Sequence, residues 1–273
     1  MTTAPPLPGG RRALPALPAV PGQVTSAVGI LAILVLWEVL AVTVLARGGA
    51  VPTPVAVVRQ WGTDGWSLYR PNVDATVWEA VRGFFWGNLL AFVLAVVVIL
   101  VPVLERVISQ IAVASYCLPV IAVGPILTVV LNGDAPMVAL SAMSVFFTTL
   151  IGVLLGLRAA DPTSLDLVAA YGGGRWQQLR RVRLAAALPS TTAALKVAAP
   201  SALLGAIIGE YLGRVDSGLG LAMTIAQQQL DVARTWGIAL VAGAIAGLGY
   251  GLIALVARVA LPWARTGTTG SPS

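Results

Sequence analysis

Residues 158–189 read RAADPTSLDLVAAYGGGRWQQLRRVRLAAALP, a polar, arginine-rich interruption in a chain that is otherwise mostly apolar. Asp161-Pro162 can start a helix, because a proline in the first turn gives up no needed donor there. Leu165, Val168 and Ala169 recur at helical spacing, and Gly172-Gly173-Gly174 then ends the run. A second amphipathic stretch follows. In it Trp176, Leu179 and Val182 form one stripe, flanked by Arg175, Arg180, Arg181 and Arg183. The segment reads as helix, turn, helix lying at a membrane surface, with tryptophan at headgroup depth and arginines towards anionic lipid.

On either side the composition is that of a membrane. Of 273 residues, 58% are hydrophobic and 10% charged, where a soluble domain carries roughly a quarter charged. Apolar stretches near Val24–Ala46, Thr76–Val103, Ile108–Leu131, Ala135–Leu157, Ser190–Gly213 and Trp236–Leu261 approach or exceed the roughly 20 residues that span a bilayer. The expectation is an all-α polytopic protein with six transmembrane helices over residues 23–263. A flexible tail at 1–22, rich in proline and glycine, and a short tail at 264–273 flank it. Pro119 and Pro125 remove backbone donors from the third span and should bend it.

The formal net charge of +6 comes almost wholly from arginine at span ends, which suits lipid rather than nucleic acid. With termini inside, Arg11, Arg12, Arg106, Arg158, Arg175, Arg180, Arg181, Arg183, Arg258 and Arg265 are internal. Arg47, Arg59, Arg70, Arg82, Arg214 and Arg234 fall outside, so the positive-inside rule favours cytoplasmic termini. Histidine is absent, which excludes imidazole chemistry, and Cys117 is the sole cysteine, read as a small buried hydrophobe. No G-x-x-x-x-G-K-S/T loop occurs, and the one lysine, Lys196, lies in the fifth apolar stretch, so ATP must bind on another chain.

The 158–189 segment resembles the EAA loop of binding-protein-dependent ABC importer permeases. Aligned on Gly172, Asp166 falls on that family's glutamate, Leu167 and Val168 on its alanines and Val182 on its later aliphatic position, with Leu188-Pro189 closing the loop. Gly172 and Trp176 keep the spacing of the sulfonate, nitrate and taurine branch. Neither alanine is kept, and aspartate replaces glutamate. Val51-Pro52-Thr53-Pro54, TVWEAVRGF at 76–84, LRAADP at 157–162, GEYLG at 209–213 and SGLG at 217–220 also look like that branch, in its order.

The resemblance implies a type I ABC importer permease in a bacterial cytoplasmic membrane, importing a small anionic or vitamin-precursor-like solute. It implies a separate ABC ATPase subunit, a second permease subunit, identical or homologous, and an extracytoplasmic solute-binding protein, besides membrane lipid. The chain itself would hold no cofactor. Residues 158–189 would carry the ATPase contact, centred on Asp166 and Gly172.

Charges within spans mark functional candidates: Glu38, Lys196 and Glu210, of which Glu210 is the candidate for pathway or gating together with Pro119 and Pro125. Lys196 could instead snorkel, and Ser141, Ser144, Thr148 and Thr149 could line a polar route or serve helix packing. A secondary transporter or channel is the competing class. A membrane enzyme is a remote third, lacking histidine, metal ligands and G-x-S-x-G.

The topology is testable with single cysteines in a Cys117→Ala background. In intact cells a membrane-impermeant thiol reagent should label Gly133→Cys and spare Gly174→Cys; the opposite pattern overturns the orientation.

Overall fold

The computed structural model describes residues 22–43, 49–213 and 215–262. The expected tails at 1–22 and 264–273 therefore lie outside the described residues, apart from Gly22. In chain order the helices are α1 Gly22–Val42, α2 Pro54–Leu100, α3 Glu105–Cys117, α4 Val120–Val130, α5 Ala135–Arg158, α6 Pro162–Ala170, α7 Arg175–Gln178, α8 Leu184–Leu212, α9 Leu219–Gln228 and α10 Val232–Ala260. No strand occurs among the described residues.

The chain divides into two units, Met1–Pro54 and Val55–Ser273. In the first, α1 is apolar, and Trp37 Nε1 donates to the Pro52 carbonyl at 3.0 Å. Glu38 leaves carboxylate Oε2 without a hydrogen-bond partner.

In the second unit α2, α5, the continuous run Arg175–Leu212 and α10 are each long and apolar enough to cross a bilayer. The pair Pro102–Cys117 and Val120–Val130 makes a further span if its two halves are taken together, and α1 corresponds to the first expected span. That pair corrects an expectation. The third span is broken rather than kinked, by 97°. Leu118 and Pro119 both take extended backbone, as a residue preceding proline prefers, and Pro119 then caps α4, which carries Pro125 inside it. Cys117, expected to be buried, ends α3 exposed just before the break.

A second correction concerns residues 47–75, the outer loop expected between the first two spans: from Pro54 on they are helical. α2 bends at Gly65, and its first half is held by Asp64, whose Oδ1 accepts from Arg234 Nε at 2.9 Å and Nη2 at 2.7 Å and from Gln60 at 2.8 Å.

The centre of the unit is the antiparallel pair α5 and α8. Lipid offers no hydrophobic drive for helix pairing, so close approach of backbones at small residues does the work. Gly156 faces Ala187 and Ser190, Gly152 faces Ala194, and towards the other end Gly205 faces Leu140 and Ser141 while Gly209 faces Met137. A β-carbon added at Gly156 would stand 2.8 Å from Ala187 Cα. α2 joins them through Gly83 against Ser141 and Gly87 against Ala142 and Val145. Ser141 donates to the Ala80 carbonyl at 3.4 Å and Thr149 to Asn88 Oδ1 at 2.5 Å, so both hydroxyls serve helix packing. Towards the α6 end, Ala91, Ala95 and Val98 of α2, Ala112 of α3, and Leu150, Val153 and Leu157 of α5 form the main core with Leu179 and Ala187.

Gly156→Ala should lower the melting temperature of the detergent-solubilised protein, at about 1–3 kcal/mol for an overpacked contact. Gly243→Ala on α10, where an added β-carbon meets nothing within 4 Å, should leave it level or raise it. Equal shifts for the two would refute the small-residue account.

Candidate functional site

The 158–189 segment folds at one end of the bundle. Asp161 caps α6, its Oδ2 accepting from Ser164 N and Ser164 Oγ, both at 2.9 Å. Those bonds from Ser164 hold the carboxyl below its ordinary range. A depressed pKa gives a contribution that is complete above the unfolded value and lost only as pH falls through the folded one, so the cap is intact at neutral pH.

At the far end of α6 the chain reverses. Gly172 N donates to Ala169 O at 2.9 Å and Gly173 N to Val168 O at 2.8 Å, the pair of bonds that defines a Schellman turn. It requires a left-handed residue, and Gly172 has φ 78°. A β-carbon on Gly172 would meet nothing within 4 Å, so only its backbone conformation resists substitution. Gly173 is tight instead: its β-carbon would lie 2.7 Å from both Val168 O and Gln177 Oε1. Residue reasoning singled out Gly172 and missed the steric demand at Gly173.

α6 buries none of its residues. Asp166 is exposed, as are Leu167, Tyr171 and Trp176, while Val168 is half-buried. The expected stripe of Trp176, Leu179 and Val182 is split. Between α7 and α8 the helix widens into a π turn at Leu179–Arg183, which sends Leu179 into the core at 1% exposed and leaves Val182 half-buried and Trp176 out.

Nor does Leu188-Pro189 close a loop. The helix runs unbroken from Arg175 to Leu212 with Pro189 and Pro200 inside it, tolerated where neighbouring helices compensate.

One contact closes the hairpin on itself and two fasten it to the spans. Gln178 Nε2 donates to Leu165 O at 3.1 Å, joining α7 to α6. Arg175 donates to Leu100 O at 3.3 Å and Arg183 to Leu157 O at 2.9 Å, satisfying carbonyls at the C-terminal ends of α2 and α5. Arg158 pairs with Glu105 at 2.6 Å.

At the opposite end of α8 lies Glu210, 1% exposed. Its Oε1 accepts from Thr76 Oγ1 at 2.5 Å and its Oε2 from Gly220 N at 2.6 Å. Leu219 N donates to Thr76 Oγ1 and Gly218 N to Asn72 Oδ1, both at 2.8 Å. The N-terminus of α9 thus points its free N–H groups at a buried carboxylate, where the helix dipole favours negative charge. Gly218 has φ 149°, and a β-carbon there would strike the Glu210 carboxyl group. Glu79, also buried, lies against Glu210.

Sequence reading found Glu210 but not α9, Asn72, Thr76 or Glu79. A signal existed: residues 72, 76 and 79 put three polar groups on one stripe of an apolar helix. Lys196 is half-buried and lines an opening with Pro189, Thr192 and Arg258, consistent with a side chain reaching the α6 end. Pro119 and Pro125 are exposed on and beside α4, and Gly124, next to Pro125, faces Leu212, two residues from Glu210.

Glu210→Ala should lower the melting temperature in detergent, since it orphans the buried Gly220 N–H at about 1–3 kcal/mol and leaves Thr76 Oγ1 only the Asn72 carbonyl to donate to. Glu79→Gln, which turns an amide donor towards Glu210, should stay near wild type. Wild-type stability of Glu210→Ala would remove the clasp.

Comparison with known proteins agrees with this geometry. The family described as binding-protein-dependent transport system inner membrane component matches residues 87–265, from the last part of α2 through the end of α10. The formylaminopyrimidine transport permease protein of Halalkalibacterium halodurans is 26% identical over 234 residues, 85% of this chain and 93% of its own. The riboflavin transport system permease protein of Chloroflexus aurantiacus is 28% identical over 216 residues, 78% of this chain and 80% of its own. The putative aliphatic sulfonates transport permease protein of Bacillus subtilis is 22% identical over 235 residues, 85% of this chain and 84% of its own. With the matched region covering well over half of its length, this chain belongs to the binding-protein-dependent transport family and is a membrane-spanning permease subunit of an ABC importer.

Proposed function

We propose that α6 is the coupling helix of this permease, seating in a groove of a separate ATPase subunit, and that the chain has no ATPase site of its own. The observation that carries the reading is the way α6 is held. It is capped at both ends, clear of the bundle, with Leu167 and Tyr171 exposed at 59% and 85%. An isolated short helix is marginal in water, so fixed caps and a presented apolar face suit docking to a partner. Burying a side chain such as Leu167 there is worth about 1.5–3 kcal/mol.

Force on α6 would reach the spans through Gln178 and the unbroken run from Arg175 to Leu212, whose far end carries Glu210. Asp166 would define the contact by charge. In this reading the termini and residues 158–189 face the cytoplasm, a second permease copy or homologue completes the pathway, and an extracytoplasmic binding protein delivers the solute. The solute named for the relatives is a formylaminopyrimidine, a riboflavin or an aliphatic sulfonate; a small heterocyclic or anionic solute is the class proposed for this chain. Ligand retained by the co-purified binding protein identifies it.

Two glycine variants and one carboxylate variant test the coupling. Gly172→Val forces a β-branched residue into the left-handed region at about 1–2 kcal/mol. Gly173→Val drives a side chain into Val168 O. Both should still insert in the membrane yet lose co-purification of the ATPase and binding-protein-stimulated hydrolysis. Asp166→Ala should do less, because a solvated charge contributes modestly. Wild-type stimulation and uptake in both glycine variants would show that α6 is not the coupling element.

A further inference from the structure

The arginines of the 175–183 segment divide into two groups. Arg175 and Arg183 are spent on carbonyls at the ends of α2 and α5. Arg180 and Arg181 have no ion pair among the described residues, and both are exposed. These two, with Trp176 and Gln177, are the whole lining of one concavity of 590 Å³. Trp176 and Arg180, like Gln177 and Arg181, stand four residues apart, the spacing that brings side chains together on one helix face. Leu179, next to Arg180 and locked in the core, fixes how this face is turned.

We infer that this concavity is a binding site for the headgroup of an anionic phospholipid. Two guanidinium groups supply forked donors to phosphate oxygens, and an exposed indole beside them is the side chain that settles at headgroup depth. Gln177 adds an amide donor. A zwitterionic choline headgroup would bring an ammonium against two arginines, which sets the preference for net negative charge. The inference rests on the proposed placement of residues 158–189 at the inner membrane surface. Charge complementarity favours lipid over the ATPase here: the apolar docking face of α6 lies at Leu167 and Tyr171, while the concavity is polar and cationic.

The test is native mass spectrometry of the assembled transporter in detergent supplemented with phosphatidylglycerol or phosphatidylcholine. Wild type should retain phosphatidylglycerol. The double variant Arg180→Gln, Arg181→Gln should retain it about thirtyfold less, the scale set by two surface arginines. Arg180→Lys with Arg181→Lys should keep part of the binding, and phosphatidylcholine retention should not change in any variant. Equal phosphatidylglycerol retention in the glutamine variant and wild type overturns the site. So does displacement by excess inorganic phosphate, which marks a free-anion site, or loss of the ATPase from the glutamine variant, which marks the arginines as docking residues. Gly172→Val separates the two proposals: it should release the ATPase and leave phosphatidylglycerol bound.

Discussion

Close backbone contact between α5 and α8 is possible only because glycine and alanine face one another along both helices. In a bilayer, where apolar side chains gain nothing by leaving lipid for protein, that proximity is what turns a set of apolar rods into a defined bundle. α8 is also continuous with α7, so whatever positions α8 positions the 158–189 hairpin at one end and Glu210 at the other. α2 and α3 assemble around the same pair, through Gly83 and Gly87 on one side and the core around Leu157 and Leu179 on the other.

The two ends of α8 use charge differently. At the α6 end, arginines satisfy helix carbonyls, cations meeting the negative ends of α2 and α5. At the opposite end, a carboxylate meets the positive start of α9, an element of ten residues that no apolar stretch announces. Both arrangements neutralise partial charges that low-dielectric surroundings would otherwise make costly. They also make α8 a member tied at both ends, a geometry suited to carrying a displacement along its length.

The hairpin was the most legible part of the chain. Asp161, Pro162 and Gly172 act through bonds to residues within five positions, so a linear reading captures them. On a regular helix Trp176, Leu179 and Val182 share one face; the π turn moves them apart. Leu188-Pro189 looks like a boundary in the linear sequence, yet proline inside a lipid-embedded helix is accommodated by its neighbours. A continuous third span would bury Cys117; the break at Leu118-Pro119 leaves it at an exposed helix end.

Membrane residence, the apolar spans and the capped helix between the fourth and fifth of them were determined by the sequence alone, because hydropathy and capping are local properties of the chain. The pairing of Glu210 with Thr76, 134 residues away, was decided only in the tertiary structure. So were the folding of α9 onto that carboxylate, the 97° break in the third span and the turning of Leu179 into the core while Trp176 stays exposed. The physical reason is that lipid-facing and protein-facing surfaces are equally apolar, so composition does not say which faces meet. Close packing at small residues and the satisfaction of a few buried polar groups say it instead.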